Sequence, residues 1–446
     1  MDKKILLGGT LLGWMFASCS PTNYFDQEKY DILVADAFPV KDIDATQTWK
    51  AVNEVTASVW LPSTSAYEVF FFTGQPQAAS SRLLQHCTLE GSTIQSVAMA
   101  VPQDISSVYV AMVDGGGKVY GGSQRVNGDV FRADLSSASV SSLSPSRLRE
   151  VEPMAFTFCY DEDFPSTGDY DFNDVVMEVS TDKRYGSQRN APDTLLVDVT
   201  LRAVGTLGSI GAAMRLSGVS PEDVEKSYEV ADEFAFYPYA ESMVPLPDKD
   251  HQLRFVDDLD SRLRDAYVPV FDDAHYAING GQLDETGGVL RRYYNTVMPS
   301  DMSSSQAGKE TAASISPVTC RYRFVFQPSA RTRLRDFNVT KVDLFAVTSY
   351  NGAFFEVHTL PYKTTGVIHT TISDNYADSY SSNYPWAMLL PGDFLYPREG
   401  VAIGSLSSNI YGGAYQLPGH SFADWARDKN KANDWFRYPE KRNVYQ

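Results

Sequence analysis

The segment from Cys159 to Ser180 concentrates residues that can bind a cation. It carries seven acidic side chains and no basic one. So many uncompensated carboxylates would repel one another and oppose folding. The segment therefore either stays solvated or holds a positively charged partner. Hard oxygen ligands at this density suit Ca²⁺, whereas Mg²⁺ takes few protein ligands and keeps several waters.

The candidate calcium ligands lie in one tight loop and on the strand that leads into it. They are Asp161, Asp163, Asp169, Asp171, Asn173 and Asp174. We expect the three aspartates of the loop to be ligands, the asparagine to supply a carbonyl oxygen or a turn contact, and one aspartate of the incoming strand to complete the shell. The spacing is not that of an EF-hand, because Asp174 replaces the Gly at the sixth position and Ser180 the Glu at the twelfth. The alternative is a solvated turn held by ordinary Asp and Asn turn chemistry.

A second pair of residues, Glu356 and His358, lies two residues apart on a predicted strand and so shares one face. Both could bind a metal or a ligand, but a pair without a third ligand is more typical of a structural hydrogen bond. The chain has no nucleophile elbow, no His-Glu-x-x-His and no phosphate-binding loop. We therefore predict no enzyme. A carboxylate pair for glycoside hydrolysis stays open, since its members would lie far apart in sequence.

The N-terminus has the pattern of an export signal. A charged start is followed by the apolar run from Ile5 to Phe16 and by Ala-Ser-Cys19. The run is too short to cross roughly 30 Å of hydrocarbon as a helix. The cysteine is placed as in a bacterial lipobox, which predicts cleavage after residue 18 and a lipid anchor at Cys19. The alternative is an ordinary cleaved signal with a chance cysteine.

Composition bounds the remaining chain. With 446 residues, 43% of them hydrophobic, the chain has enough apolar material to form the cores of about two or three domains. The net charge of −18 argues against nucleic acid as a partner. Three further cysteines, Cys87, Cys159 and Cys320, have no metal spacing; one disulfide could form, but buried thiols are the more common outcome.

The pattern of short apolar runs predicts a mainly β fold. Residues 19–50 show little apolar periodicity and are expected to be a tether. Residues 51–135 contain β-branched and aromatic runs separated by Gly, Pro or Ser, as in a β-sandwich. A Ser-rich linker at 136–149 leads to a larger domain at 150–446, expected to be a β-sandwich or jelly-roll-like fold with long insertions. Short helices are predicted after the capping residues Ser220 and Ser421.

Several motifs of the second half resemble one family. The run from Asp161 to Val176 resembles the signature of the LruC-domain lipoproteins, outer-membrane proteins best represented in Bacteroidota and spirochaetes. The stretches Gly205–Leu216 and Phe345–Pro361, and the closing Phe422-Ala-Asp-Trp-Ala426, follow in the family's order. Ala212-Ala-Met-Arg215 replaces the usual Asn-Gly-Phe, and Thr359 interrupts the Glu-x-His-Leu-Pro core. The resemblance covers about residues 150–446 and implies a lipid-anchored surface protein.

These observations predict a binding or adhesion module on the cell surface or outer membrane, anchored to the membrane at Cys19, with Ca²⁺ in the acidic loop. Its ligand would be a glycan or a protein. A structural envelope lipoprotein without a small ligand is the second hypothesis, and a carbohydrate-active enzyme is the third. Exposed aromatic side chains along a groove would favour a glycan, and a flat apolar patch would favour protein assembly.

Overall fold

The computed structural model describes nine stretches of the chain, and all structural statements below refer to them. They are residues 27–186, 191–225, 229–230, 265–298, 312–350, 353–362, 383–392, 394–404 and 419–445. Within these stretches no helix has both the length and the apolar character needed to cross a membrane. The lipidation candidate Cys19 lies outside the described residues.

The first seven strands form two facing sheets. They are Val52–Trp60 (β1), Tyr67–Phe72 (β2), Leu83–Leu89 (β3), Ile94–Pro102 (β4), Ser107–Val113 (β5), Val119–Arg125 (β6) and Val130–Asp134 (β7). One sheet has the order β4-β1-β7 and the other β3-β2-β5-β6. Their pairings are antiparallel apart from the parallel pair β1–β7. Inward side chains such as Val59, Phe71 and Met99 form a common core, as expected for a β-sandwich.

Ten further strands form two more sheets. They are Ala155–Tyr160 (β8), Val175–Arg184 (β9), Thr194–Ala203 (β10), Gly211–Leu216 (β11), Glu229–Val230 (β12), Ala266–Phe271 (β13), Val318–Val325 (β14), Val342–Tyr350 (β15), Ala353–Val357 (β16) and Ala387–Pro391 (β17). The larger sheet has the order β12-β14-β10-β9-β8-β17 and the smaller one β13-β11-β15-β16. The prediction of a mainly β fold with few short helices is confirmed.

Strand β10 shows why the two faces of the larger sheet differ. Its residues alternate between buried apolar side chains, such as Val197 and Val199, and half-buried polar ones, such as Asp198 and Thr200. Because successive side chains of a strand point to opposite faces, one face packs on the core and the other is polar. The acidic loop leaves the same sheet, between the neighbouring strands β8 and β9.

The helices are short. They are Gln27–Ala37 (α1), Pro145–Arg149 (α2), Ala274–Ile278 (α3), Arg331–Leu334 (α4) and Phe422–Arg427 (α5). The helix predicted after Ser421 is α5, whose backbone the Ser421 hydroxyl caps at Asp424 N, 2.9 Å away. After Ser220 the described residues form only a 3₁₀ turn, Pro221–Asp223, closed by a capping box.

Residues 27–50 are not the tether that the sequence analysis predicts. Helix α1 buries Tyr30 and Val34, Phe38 continues the same four-residue spacing directly after the helix, and Trp49 follows in the same core. This spacing is close to the helical period of 3.6 residues. It differs from the period of two that marks the strands. Any tether is therefore confined to residues before Gln27.

The segment at 136–149 is mostly exposed, but it ends in helix α2, whose Leu148 is fully buried. Strand β1 starts at Val52 and β7 ends at Asp134, close to the limits expected for the first sandwich. Directly before β1, the Ala51 amide donates to the carbonyl of Leu389 in β17, 2.8 Å away, so the chain next to the first sandwich is hydrogen bonded to the larger sheet. The three cysteines Cys87, Cys159 and Cys320 are buried and form no disulfide with one another.

Candidate metal centre

The acidic loop connects β8 to β9 and turns sharply. Tyr170 and Phe172 both have left-handed backbone conformations, with φ values of 57° and 54°, which residues other than glycine seldom adopt. Both rings are buried, and Tyr170 packs edge-on against Phe38 of the N-terminal segment at 5.0 Å. The aromatic residues thus fix the loop to the core, while the acidic residues alternate with them along the chain.

Asp161 is fully buried at the start of the loop. One of its oxygens accepts a hydrogen bond from the Tyr170 amide at 2.8 Å, and the other accepts one from the Asp163 amide at 3.3 Å. A Cβ at Gly168 would collide with this carboxylate, which explains the glycine at that position. Asp161 therefore closes the loop on itself.

Three carboxylates converge on the outer side of the loop. Ligand atoms of Asp169, Asp171 and Glu399 all lie within 4.8 Å of one another, a spacing that could hold a metal ion. The Gly400 amide donates to Asp171 at 2.8 Å, and the Asn173 side-chain amide donates to the Pro397 carbonyl at 3.3 Å. The segment 397–400 is thereby held against the acidic loop.

Glu162 and Asp174 lie next to this group. The Glu162 amide donates to the Asp174 carboxylate at 2.7 Å, and the Thr206 hydroxyl donates to the Glu162 carboxylate. Arg291 fixes the loop that contains Thr206, since its guanidinium contacts the Gly208 carbonyl and the buried Asp273, the latter at 3.0 Å. The site is therefore built from segments far apart in sequence.

The electrostatics of the site are dominated by uncompensated negative charge. Burial and the neighbouring carboxylates raise the pKa values of Asp161, Asp171 and Asp174 well above the usual range for aspartate. Burial raises the pKa of Glu162 to about 7, which Arg291 partly opposes. Among the described residues, no basic side chain is a main cause of the shifted pKa values of these three aspartates. A bound cation would supply the missing charge.

Two buried polar atoms of the loop, the Tyr170 hydroxyl and the Asn173 side-chain oxygen, also lack a hydrogen-bond partner among the described residues. The side-chain oxygen of Asn173 is buried and accepts no hydrogen bond from the described residues, although buried polar atoms are nearly always paired. It lies against Gly205, where an added Cβ would also come within 2.7 Å of the backbone carbonyl oxygen of Asn173. The donor set is thus carboxylate and amide oxygen, the chemistry of a hard cation.

The structure brings together some of the predicted ligands and adds one. Asp169 and Asp171 belong to the convergent group, whereas Asp161 and Asp174 bind backbone amides of the loop. Asp163 lies outside the convergent group and is exposed, so its place in a metal shell stays a prediction. Sequence reasoning missed Glu399, because nothing in its local sequence marks it and only tertiary folding brings it to the loop.

The second predicted pair has a different geometry. His358 donates to Glu356 through Nε2 at 3.0 Å and to Asp343 through Nδ1 at 3.0 Å, and Arg215 contacts Asp343 at 2.9 Å. Although burial opposes it, these two carboxylates raise the pKa of His358 to about 9. Both ring nitrogens donate hydrogen bonds, so the residues form a buried ionic cluster. This is the structural alternative left open by the sequence.

Fold and site together define a mainly β protein with a loop suited to a hard cation. The chain belongs to the family described as a domain of unknown function, DUF4842, which matches residues 193–436. A solved structure from Bacteroides ovatus, of a protein provisionally named a lipoprotein, shares the fold with a TM-score of 0.50. The two chains are 13% identical, and the match covers 86% of this chain and 99% of the other. No curated protein matches the chain.

Proposed function

We propose that this protein is an envelope lipoprotein whose acidic loop binds Ca²⁺ and whose body is a binding or adhesion module. The convergence of Asp169, Asp171 and Glu399 carries the calcium assignment. The buried carboxylates around them need a positive charge, and Ca²⁺ accepts the irregular shells of six to eight oxygens that such loops offer. The ion would have a structural role, fixing segment 397–400 against the acidic loop.

The lipid anchor at Cys19 and a position on the outer membrane or cell surface belong to the same proposal. The lipobox-like N-terminus supports them, and the provisional name of the Bacteroides ovatus protein agrees with them. Kinship with the LruC-domain lipoproteins is the finer family assignment that we propose, on the motifs quoted above.

A cleft of about 1530 Å³ is the candidate ligand site. Its floor is the polar face of β9, β10 and β14, and its opposite wall includes Phe70 and His86 of the first sandwich. Phe70 is 1% exposed and stacks on His86 at 4.3 Å, which leaves it no free face for a sugar ring. The lining favours a partner that forms hydrogen bonds, and we propose a protein segment ahead of a glycan.

We infer that the cleft is not catalytic. Most of its acidic residues pair with arginines: Asp198 binds Arg321 through two hydrogen bonds of 2.7 and 2.6 Å, and Glu178 contacts Arg202 at 2.9 Å. A carboxylate held in this way is a poor general acid or base at neutral pH. A role as an envelope structural protein without a small ligand is the alternative, which failure to find any cleft partner would favour.

Calcium binding is tested by thermal unfolding of residues 20–446 with EDTA and with millimolar Ca²⁺. Ca²⁺ at 100 times its dissociation constant adds about 2.7 kcal/mol, which is a shift of roughly 5 to 10 °C for a domain of this size class. The variant Asp169→Asn/Asp171→Asn should lose the shift, and the control Glu90→Gln, at an exposed residue of the first sandwich, should keep it. A wild type that does not respond to Ca²⁺ would refute the assignment.

A further inference from the structure

Helix α1 has one face without a partner in the described fold. Its buried residues Tyr30 and Val34 pack on the core, whereas Ile32 and Leu33 on the opposite side are 56% and 59% exposed. Single exposed aliphatic side chains are common on protein surfaces, but these two are adjacent and form a small contiguous apolar patch. We propose that Ile32 and Leu33 lie in the lipid headgroup region of the membrane and orient the protein on it. This inference rests on the proposed lipid anchor at Cys19.

The reach of the chain supports lipid as the occupant. Eight residue steps separate Cys19 from Gln27, the start of α1. A fully extended chain covers at most about 3.6 Å per residue, so these steps reach no further than about 29 Å. Ile32 lies five residues into the helix, about 7.5 Å along its axis. An acyl anchor at Cys19 therefore limits how far this face can move from the bilayer.

The anchor at Cys19 also compensates for the weak membrane affinity expected of so small a patch. Two aliphatic side chains alone give only weak interfacial binding. When the protein is already anchored, however, their insertion is an intramolecular step, and it benefits from a high effective concentration of lipid. Because α1 is fixed to the core by its other face, insertion would set the orientation of the whole body and not of the helix alone.

The charge on the helix indicates which lipid. Glu28, Lys29 and Asp36 flank the aliphatic pair at helical spacing, so this face carries one more acidic than basic side chain. The chain as a whole carries a net charge of −18, which anionic headgroups would repel. A zwitterionic surface is therefore the partner that the face fits best.

The test places a fluorophore at the face in the full-length, anchored protein. In Leu33→Cys the new thiol can be labelled selectively, because Cys87, Cys159 and Cys320 are buried. An environment-sensitive dye reports lipid contact when the protein is reconstituted in phosphatidylcholine and phosphatidylethanolamine vesicles that carry a headgroup-level nitroxide quencher. The control is Ile94→Cys, which is 46% exposed.

Ile94 suits the control because it pairs with Trp60 at the far end of β1, eight residues beyond Val52. At about 3.3 Å per residue, the Trp60 end of β1 lies roughly 26 Å along the strand from Val52. Val52 belongs to the same core cluster as Val34 of α1. We expect the dye at position 33 to shift to the blue and to be quenched at least threefold more than the dye at position 94. Equal quenching at the two positions, or none at position 33, would overturn the inference.

Two further readouts separate the causes of a negative result. Mass spectrometry of the N-terminal peptide reports acylation of Cys19. An acylated protein without quenching at position 33 overturns the inference alone, whereas an unmodified cysteine overturns both the anchor and the inference. A blue shift that grows with protein concentration in lipid-free solution would assign the face to a second copy of the chain and would also overturn it.

Discussion

Replacing Glu399 by glutamine should have opposite effects with and without calcium. The substitution keeps the shape of the side chain and removes one of three charges that lie within 4.8 Å of one another. Without metal, this relieves repulsion, and the variant should be more stable than the wild type. With calcium, the variant lacks a ligand and should gain less stability than the wild type does.

The magnitude follows from the geometry. Two unit charges 4.8 Å apart repel by roughly 0.9 kcal/mol in bulk water and about 3.5 kcal/mol at an effective dielectric of 20. The lower part of this range applies, because Asp169 is exposed and solvent screens its charge. The raised pKa of Asp171 reduces the repulsion further, since part of that group is protonated without metal. We expect a gain of about 1 to 2 kcal/mol, or roughly 2 to 8 °C in Tm.

The assay is thermal unfolding in EDTA and in millimolar Ca²⁺ at pH 7.5, with Glu90→Gln as the matched control. The control removes the same charge from an exposed residue of the first sandwich, so it should change neither value. The reasoning fails if Glu399→Gln lowers Tm in EDTA while its response to calcium equals that of the wild type. Glu399 would then be a structural residue and not a ligand.

Three further predictions concern the supports of the site and the core. Gly205→Ala should destabilise the protein, because the new Cβ would lie 2.7 Å from a backbone carbonyl oxygen of the acidic loop. Chemical denaturation measures the loss, with Gly122→Ala as the control, since a Cβ at Gly122 would meet open space. Phe38→Ala should cost about 3 to 5 kcal/mol, whereas Leu33→Ala on the exposed face of α1 should cost little; both are measured by urea unfolding. The pKa of His358 is raised to about 9, so its stabilisation is complete below the unfolded value near 6.5 and is lost as pH rises through 9. The stability of His358→Gln relative to wild type should therefore improve between pH 7 and pH 10, and an unchanged difference would contradict the assigned protonation.

The sequence predicts the strands well because their signal is local. Runs such as Tyr67–Phe72 and Ser107–Val113 are β-branched or aromatic and are bounded by turn residues, so each strand can be recognised alone. The sequence does not reveal helix α1, because Tyr30, Val34 and the following Phe38 are spread among charged residues. Their ring contacts with Phe164 and Tyr170 join residues more than a hundred positions apart. Periodicity without a known partner surface is a weak signal.

The residues of the candidate site also differ in how far the sequence alone can predict them. The acidic loop was visible because its ligands lie within a few residues, whereas Glu399 and Thr206 reach the loop only through the fold. The Glu356 and His358 pair shows the reverse case. Its spacing suggested a ligand site, but Asp343 on the adjacent strand β15 takes the second ring nitrogen and turns the pair into a buried ionic cluster.

The alternation along the acidic loop couples its two sides. Tyr170 packs into the core against Phe38 of the N-terminal segment, and its carbonyl accepts a hydrogen bond from the Ile403 amide at 2.8 Å. The next residue, Asp171, faces the convergent carboxylates and binds the Gly400 amide. A cation that pulls Asp171 toward Glu399 therefore acts on the same short backbone that holds the Tyr170 ring. Since Phe38, the residue directly after α1, packs on that ring, calcium should stabilise the N-terminal segment as well as the loop. Amide hydrogen exchange in α1 should slow on calcium addition, and unchanged exchange there would show that the loop and the helix are independent.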